Sequence, residues 1–240
     1  MAKRTFKEIR FNNREEWKAS RRIGGSDLAT LMGEGKWQTI SDIYTRLVFP
    51  DRVKSNNLDN NPRVKEGAQA EEHIRNLFAL EHPNIKVINP PEENWLFVRN
   101  DNEFITVSPD GILDDYMGAL EIKDVEIYSN KQLESWKGGD IPRQYFYQIM
   151  QYFIVLNTVK DIYLVARIKV MNNRELDHVE EYTYHFDRIN FKEEIKNCLQ
   201  IEKSFIKKYV LPKERPNVNY LEEIEKELKK YDNKEILWRK

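Results

Sequence analysis

The hydrophobic period of this chain changes along its length, and that change constrains the fold more than any other feature. Between residues 14 and 80 the apolar positions follow helical spacing. Arg14–Arg22 alternates charge around Trp17 and reads as a short helix or turn. Ser26 is placed to cap a helix over Asp27–Met32, with Asp27 in the first turn, where the helix dipole favours an anion. Thr39–Val48 sets Ile40, Ile43, Tyr44 and Leu47 on one face, and Val64–Leu80 is a longer helix carrying Ile74, Leu77 and Phe78. Residues 50–62, rich in Asn and Asp with proline at both ends, form a loop.

The period then shortens to that of strands. Trp95–Val98, Phe104–Val107, Gly111–Leu113 and Ala119–Val125 are short runs separated by Asn, Asp, Pro and Gly. An apolar helix over Pro142–Asn157 follows, then strands at Asp161–Val170 and Glu180–Phe186, a helix at Phe191–Tyr209 and a charged helix at Leu221–Tyr231. With no repeat and no low-complexity linker, the order predicts one α/β domain over residues 1–240. Its centre is a mixed sheet flanked by helices, and residues 188–240 form a helical extension of the same domain.

Composition narrows the function classes. The formal net charge is −1, which excludes a polybasic wrapper of nucleic acid. The charge is unevenly placed, however. Residues 1–66 carry 14 Lys/Arg against 9 Asp/Glu, whereas residues 67–125 carry 4 against 12. An acidic block beside a basic one suits a carboxylate metal site next to a segment that grips a polyanion, although a charge cluster also serves as a solvated face. The single cysteine, Cys198, excludes a disulfide framework and any zinc or iron–sulfur site built on several thiolates. The N-terminal MAKRTFKEIRF has no apolar stretch, and no run reaches the roughly 20 residues of a membrane span, so a cytoplasmic protein away from membranes is expected.

The chemistry concentrates in Ser108-Pro-Asp110-Gly and, ten residues on, Leu120-Glu121-Ile122-Lys123. Either alone is ordinary: a turn signal, or charges alternating on a strand. Together they differ. Glu121 and Lys123 point to one side of a strand and Ile122 to the other, and Asp110 at the end of the preceding strand converges on Glu121. Two carboxylates and an ammonium at one spot are costly unless a divalent cation neutralises the acids. Mg²⁺ on Asp110 and Glu121 leaves positions for water and a phosphate oxygen, and Lys123 orients the hydroxide or stabilises developing charge. This arrangement suits phosphodiester hydrolysis.

The pattern is the signature of the PD-(D/E)XK nuclease superfamily, and further blocks narrow it. Trp17, Arg21 and Ile23-Gly-Gly-Ser-Asp27, then Gly67 to Glu71, Ser108–Gly111, Leu120–Lys123 and Ile141 to Gln148 occur in order within residues 17–155. In this the chain resembles the YqaJ-like viral recombinase family, that of lambda phage exonuclease. The resemblance implies a restriction-endonuclease-like core and one or two Mg²⁺ ions, with Mn²⁺ as the alternative. The metal ligands it implies are Asp110, Glu121, the Ile122 backbone carbonyl and Glu71, the last directly or through water. Gly67, one turn before Glu71, would let backbone or nucleic acid approach closely. Gln148, polar on an apolar helix, would lie beside the catalytic centre and hold phosphate. Arg21, Ser26 and Ser108 would form a pocket for a 5′-phosphate, with Arg22 a rival to Arg21. One departure is Asp124-Val125 where relatives often have Cys-Pro; Asp124 faces away from Glu121 and is not a ligand.

The implied activity is a 5′ to 3′ exonuclease on linear double-stranded DNA ends, phage or prophage encoded, in a bacterial cytoplasm. It would supply single strands to an annealing protein, and it would be a homotrimer if the resemblance extends to assembly. The alternatives are a site- or structure-specific endonuclease on the same fold, and a catalytically silent nucleic-acid-binding module. The four histidines and Trp37 and Trp136 are assigned to structure or packing rather than to metal binding or base stacking.

Overall fold

In the computed structural model, which describes residues 3–53, 62–91, 94–217 and 219–223, eight strands form two sheets. The smaller is antiparallel, ordered β1 (Phe6–Arg10), β3 (Trp95–Arg99), β4 (Asn102–Val107). The larger is ordered β2 (Val87–Ile88), β5 (Gly111–Leu113), β6 (Gly118–Ile127), β7 (Asp161–Asn172), β8 (Glu175–Asp187). Only β6 and β7 run parallel, so the sheet is mixed. A parallel pair needs a crossover, and α5 (Asn130–Lys137) and α6 (Arg143–Val155) supply it.

The four short strands expected after residue 95 do not form one meander. β3 and β4 pair in the small sheet, β5 and β6 in the large one, and Ser108-Pro109-Asp110 is the step between them. Local alternation marks a strand but not its partner, and pairing is a tertiary choice.

The large sheet is covered on both faces. Ala70, Ile74 and Phe78 of α4 (Pro62–Glu81) pack on Leu120, Ile122 and Val165. On the other face Ile149, Phe153 and their neighbours on α6 join Ala119, Ile162, Leu164 and Ala166, with Ile201 and Phe205 of α7 (Lys192–Phe205) behind them. Full burial of each Ile, Leu, Val or Phe among them contributes roughly 1.5–3 kcal/mol. Period-two alternation on β6 thereby sends Ile122 toward α4, and Glu121 and Lys123 toward α6.

The N-terminal helices are α1 (Arg14–Ser20), α2 (Gly25–Leu31) and α3 (Ile40–Val48). Helix α2 starts before Ser26, so Ser26 is not its cap. Gly24 takes that position, and its N–H donates to the Asp27 carboxylate at 2.8 Å. That carboxylate, 3% exposed, also holds Arg46 at 2.5 Å and Gln38 at 2.8 Å. Thr39 caps α3 and accepts from Asp42 N–H.

Three elements carry too little pattern to be read locally. β1 buries one side chain, Phe6; β2 has two residues; α5 buries only Leu133 and Trp136. The expected helix at Phe191–Tyr209 is α7 continued by a π-turn over Ile206–Val210. Of the expected Leu221–Tyr231 helix, residues 224 onward lie outside the described residues, as does most of the 50–62 loop. Trp136 is packed in the core, but Trp37 is 92% exposed, contrary to its assignment to packing.

Candidate active site

The site grows from the step between the sheets. β5 begins only at Gly111, opposite Leu120, so beyond Leu120 the β6 edge facing it has no strand partner among the described residues. Asp110 takes the place of that partner. Its N–H donates to Leu120 O at 3.2 Å, and its carboxylate accepts from Ile122 N–H at 2.7 Å. The Arg75 guanidinium on α4 donates to Asp110 O at 2.6 Å, which fixes the turn from its other side. The aspartate is thus held by backbone geometry beside Glu121, as the spacing predicts.

Glu121 is 5% exposed, and it is contacted by the Lys123 ammonium and by the Tyr152 hydroxyl, which donates to it. Burial raises Asp110 well above the ordinary carboxylate range, and Glu121 and Glu71 add to the rise. Burial likewise raises Glu71, with Lys123 opposing and Glu121 reinforcing. For Lys123 burial acts downward but is overridden by Glu121 and Asp110, so the ammonium is held above its usual range. Three mutually repelling carboxyls face Lys123, with Arg75 and Arg14 also acting on Glu71.

Among the described residues no three His, Cys, Asp or Glu side chains are drawn together as a ready metal cage. The donors are a buried pair, Asp110 and Glu121, with Glu71 an electrostatic neighbour on α4. A pair of carboxylates in a wet cleft fits Mg²⁺, which keeps several waters, better than a cation needing a full protein shell. The chemistry of the donor set therefore fits the expected metal.

These groups open into a cleft of about 820 Å³. Arg21, Ser26, Ser108 and Gln148 line the same cleft, as do Glu71 and Gly67. The structure brings Arg21 into the cleft but leaves Arg22 out of its lining; Arg22 donates to Ala19 O at 2.9 Å. The Arg21 guanidinium lies 4.9 Å from the Trp17 ring centre, with Arg14 at 5.3 Å from it. Burial lowers the Arg21 pKa, which Asp27 opposes and Arg46 and Arg14 reinforce. Among the described residues no atom outside its own helix turn comes within 4 Å of a Cβ built at Gly67, so its role in a close backbone approach is corrected: it faces open space in the cleft. The close approach is at Gly25 instead, where an added Cβ would sit 3.0 Å from Gln148 Cα.

Several residues that brace the site have no role assigned from sequence, Trp17 being named there only as part of a motif. Trp17 Nε1 donates to Ser108 Oγ at 3.0 Å and Trp95 O at 3.1 Å, while Trp95 Nε1 donates to Pro109 O at 2.8 Å. Two indoles thereby hold the Ser108–Asp110 turn. Tyr152 and Arg75 were also missed; the available signal for Tyr152 was its position four residues after Gln148, one turn along the same face. Asp124 pairs with Arg167 at 2.9 Å and Lys169 at 2.8 Å on the opposite face of β6, apart from this cleft.

Comparison with known proteins adds to this geometry. A family model described as the YqaJ-like viral recombinase domain matches residues 16–159. Two solved structures of LHK-Exo, an alkaline exonuclease from Laribacter hongkongensis, share the fold: one in complex with dAMP at a TM-score of 0.51, the other at 0.50. Each is 18% identical and covers 90% of this chain and 95% of its own. No curated protein matches.

Proposed function

The chain belongs to the YqaJ-like viral recombinase domain family, and from that membership we propose that it is a metal-dependent exonuclease of phage-type recombination. Its substrate is the end of linear double-stranded DNA, and it hydrolyses phosphodiester bonds from 5′ to 3′. The observation that carries this reading is the Asp110 carboxylate on Ile122 N–H, beside Glu121 and Lys123, in one cleft with Arg21, Ser26 and Ser108. LHK-Exo, with the same fold, is an exonuclease, which supports the assignment.

Asp110, Glu121 and the Ile122 carbonyl would hold the ion or ions, Mg²⁺ or Mn²⁺, with Glu71 acting directly or through water. When bound, the metal supplies Lewis acidity to the phosphate and lowers the pKa of water. Everything else falls to the chain. Tyr152 donates to Glu121 and fixes which carboxylate oxygen faces the cleft. Lys123, held as an ammonium, does not act as a base; it orients the attacking oxygen and offsets charge developing on the phosphate. Gln148 donates its amide to a phosphate oxygen. Arg21 gives a bidentate grip on the terminal 5′-phosphate, with the Ser26 and Ser108 hydroxyls at its sides.

We take residues 1–240 to act as one nuclease unit. The strand left behind suits an annealing protein as partner, and a homotrimer is the assembly the family resemblance implies. No described helix is long and apolar enough to cross a membrane.

The test compares four substrates in Mg²⁺: linear duplex with 5′-phosphate, linear duplex with 5′-hydroxyl, closed circular duplex, and linear duplex with EDTA. Degradation of the first, slower degradation of the second and none of the others is expected. Equal cutting of circular and linear DNA would make the protein an endonuclease, and DNA binding with no cutting in either metal would make it a silent binding module.

A further inference from the structure

A buried carboxyl outside the cleft accounts for most of a hydrogen-bond count that otherwise fails. Glu202 on α7 is fully buried, and neither of its oxygens has a partner among the described residues. Gln151 on α6 is equally buried, and its side-chain oxygen is also unpartnered. Both Gln151 N–H groups are spent, one on Ile23 O at 3.1 Å and one on Thr106 O at 3.0 Å. A carboxamide has two donors, so none remains for Glu202. Three acceptor oxygens thus stand in the core without a donor, and leaving such groups unpaired costs about 1–3 kcal/mol each. A single proton on Glu202 pairs two of the three: its O–H donates to Gln151 Oε1, and the neutral acid needs no counter-ion.

We propose that Glu202 is a protonated positioning residue: its carboxyl O–H donates to Gln151 Oε1 and locks the carboxamide that ties Ile23 to Thr106 behind the cleft wall.

The tied segments are those that build the wall. Ile23 forms a parallel bridge to Ile105, its N–H donating to Phe104 O and its O accepting from Thr106 N–H, each at 2.9 Å. Gly24, Gly25 and Ser26 follow it directly and line the cleft, as do Thr106 and Ser108. Gln151 lies three residues after Gln148 on the same helix. One amide, oriented by one proton, therefore links α7, α6, β4 and the start of α2.

The surroundings agree. Burial raises Glu202 to about 8; Gln151, whose side chain is its hydrogen-bonding neighbour, Arg99 on β3 and Lys203 on α7 act downward, and Asp27 on α2 acts upward. Cys198, one turn earlier on α7, is itself raised by burial and by Glu202. Because the folded value lies above the unfolded one, the stability Glu202 contributes is complete below about pH 4.5 and lost as pH rises to about 8.

The role in positioning rests on the reading of the cleft as the DNA site; the protonation does not, and the test separates them. Without DNA, the infrared spectrum at neutral pH should contain a protonated-carboxyl carbonyl band that Glu202→Gln removes. From pH 5 to 8 the wild type should lose folding equilibrium relative to Glu202→Gln by about tenfold per pH unit. With Mg²⁺ and 5′-phosphorylated linear duplex, Glu202→Gln, whose amide still donates to Gln151, should keep the wild-type KM. Glu202→Leu should raise KM about tenfold, the cost of one lost buried hydrogen bond. Absence of the band, or parallel pH profiles, overturns the proton. An equal rise in KM for both variants, or none for Glu202→Leu, overturns the positioning role. If Glu202→Leu does not fold, the band and the Glu202→Gln pH profile and KM carry the decision. If the wild type neither binds nor cuts linear DNA, the cleft reading fails while the infrared and melting results still decide the proton.

Discussion

Tyr152 shows how one hydroxyl on a largely apolar helix reaches a carboxylate across the interface. Its O–H donates to Glu121, and burial, followed by Glu121 and Asp110, raises its pKa well above 10, so it stays a donor throughout the working range. Tyr152→Phe keeps the ring in the core and removes only that donor. Metal affinity, read by calorimetry on the protein without DNA, should fall about 10–100-fold, as for other partners that orient a ligand. Unchanged affinity and rate would show that Glu121 needs no such help. Lys123→Ala, in contrast, should leave the fold intact and remove cutting. Its ammonium is cationic and lines the cleft, so full activity would sink its assignment. The paired motif residues were legible in the sequence because strand alternation and chain connectivity put them together. Tyr152 and Arg75 were not, since nothing local says which residue of a buried helix face meets a carboxylate thirty or so positions away.

Elements set the spacing on which these contacts depend. The approach of α2 to α6 is governed by Gly25, where a Cβ would meet Gln148 Cα at 3.0 Å, a backbone atom that cannot swing aside. Gly25→Ala should therefore cost about 1–3 kcal/mol through overpacking. It should also displace Gln148, so catalytic rate should fall together with melting temperature, and an unchanged rate would refute the coupling. Trp17 on α1 makes a second such link, through Ser108 and Trp95 O to the turn that carries Asp110. Trp17→Phe removes both indole bonds while Trp95 O keeps the Ser108 hydroxyl as a donor, so the loss is about 0.5–1.5 kcal/mol for each bond. Melting temperature should drop and the preference for 5′-phosphate ends should weaken, because Arg21 also loses part of the ring it lies over. Most element positions were readable from period and turn residues. The cap of α2 was not, because Asp27 reaches back to Gly24 and outcompetes Ser26 for the helix start.

At the scale of the whole molecule the near-zero net charge conceals a division of labour. The acidic segment 67–125 holds Asp110, Glu121 and Glu71, and the basic N-terminal segment holds Arg14 and Arg21 on the same cleft wall, with Arg46 behind them on Asp27. Repulsion among the carboxyls is a standing cost of the metal-free fold. Asp110→Asn should raise the melting temperature in EDTA while abolishing both cutting and the rise that Mg²⁺ gives the wild type. A variant that melts lower in EDTA would show that the Asp110–Ile122 bond outweighs the repulsion. Binding to DNA should weaken steeply with salt, as phosphate contacts require, and should depend on ends rather than on length.

The sequence by itself determined the class of chemistry and the kinds of element. Periodicity is a local property, and Asp110, Glu121 and Lys123 lie close enough along the chain for strand geometry to unite them. Tertiary structure decided the rest. It split the four expected short strands between two sheets, took Arg21 rather than Arg22 into the cleft lining, enlisted Trp17, Arg75 and Tyr152, and buried Glu202 beside Gln151. Each of these joins residues far apart in the chain through packing and burial. Their energies depend on neighbours that no local pattern names.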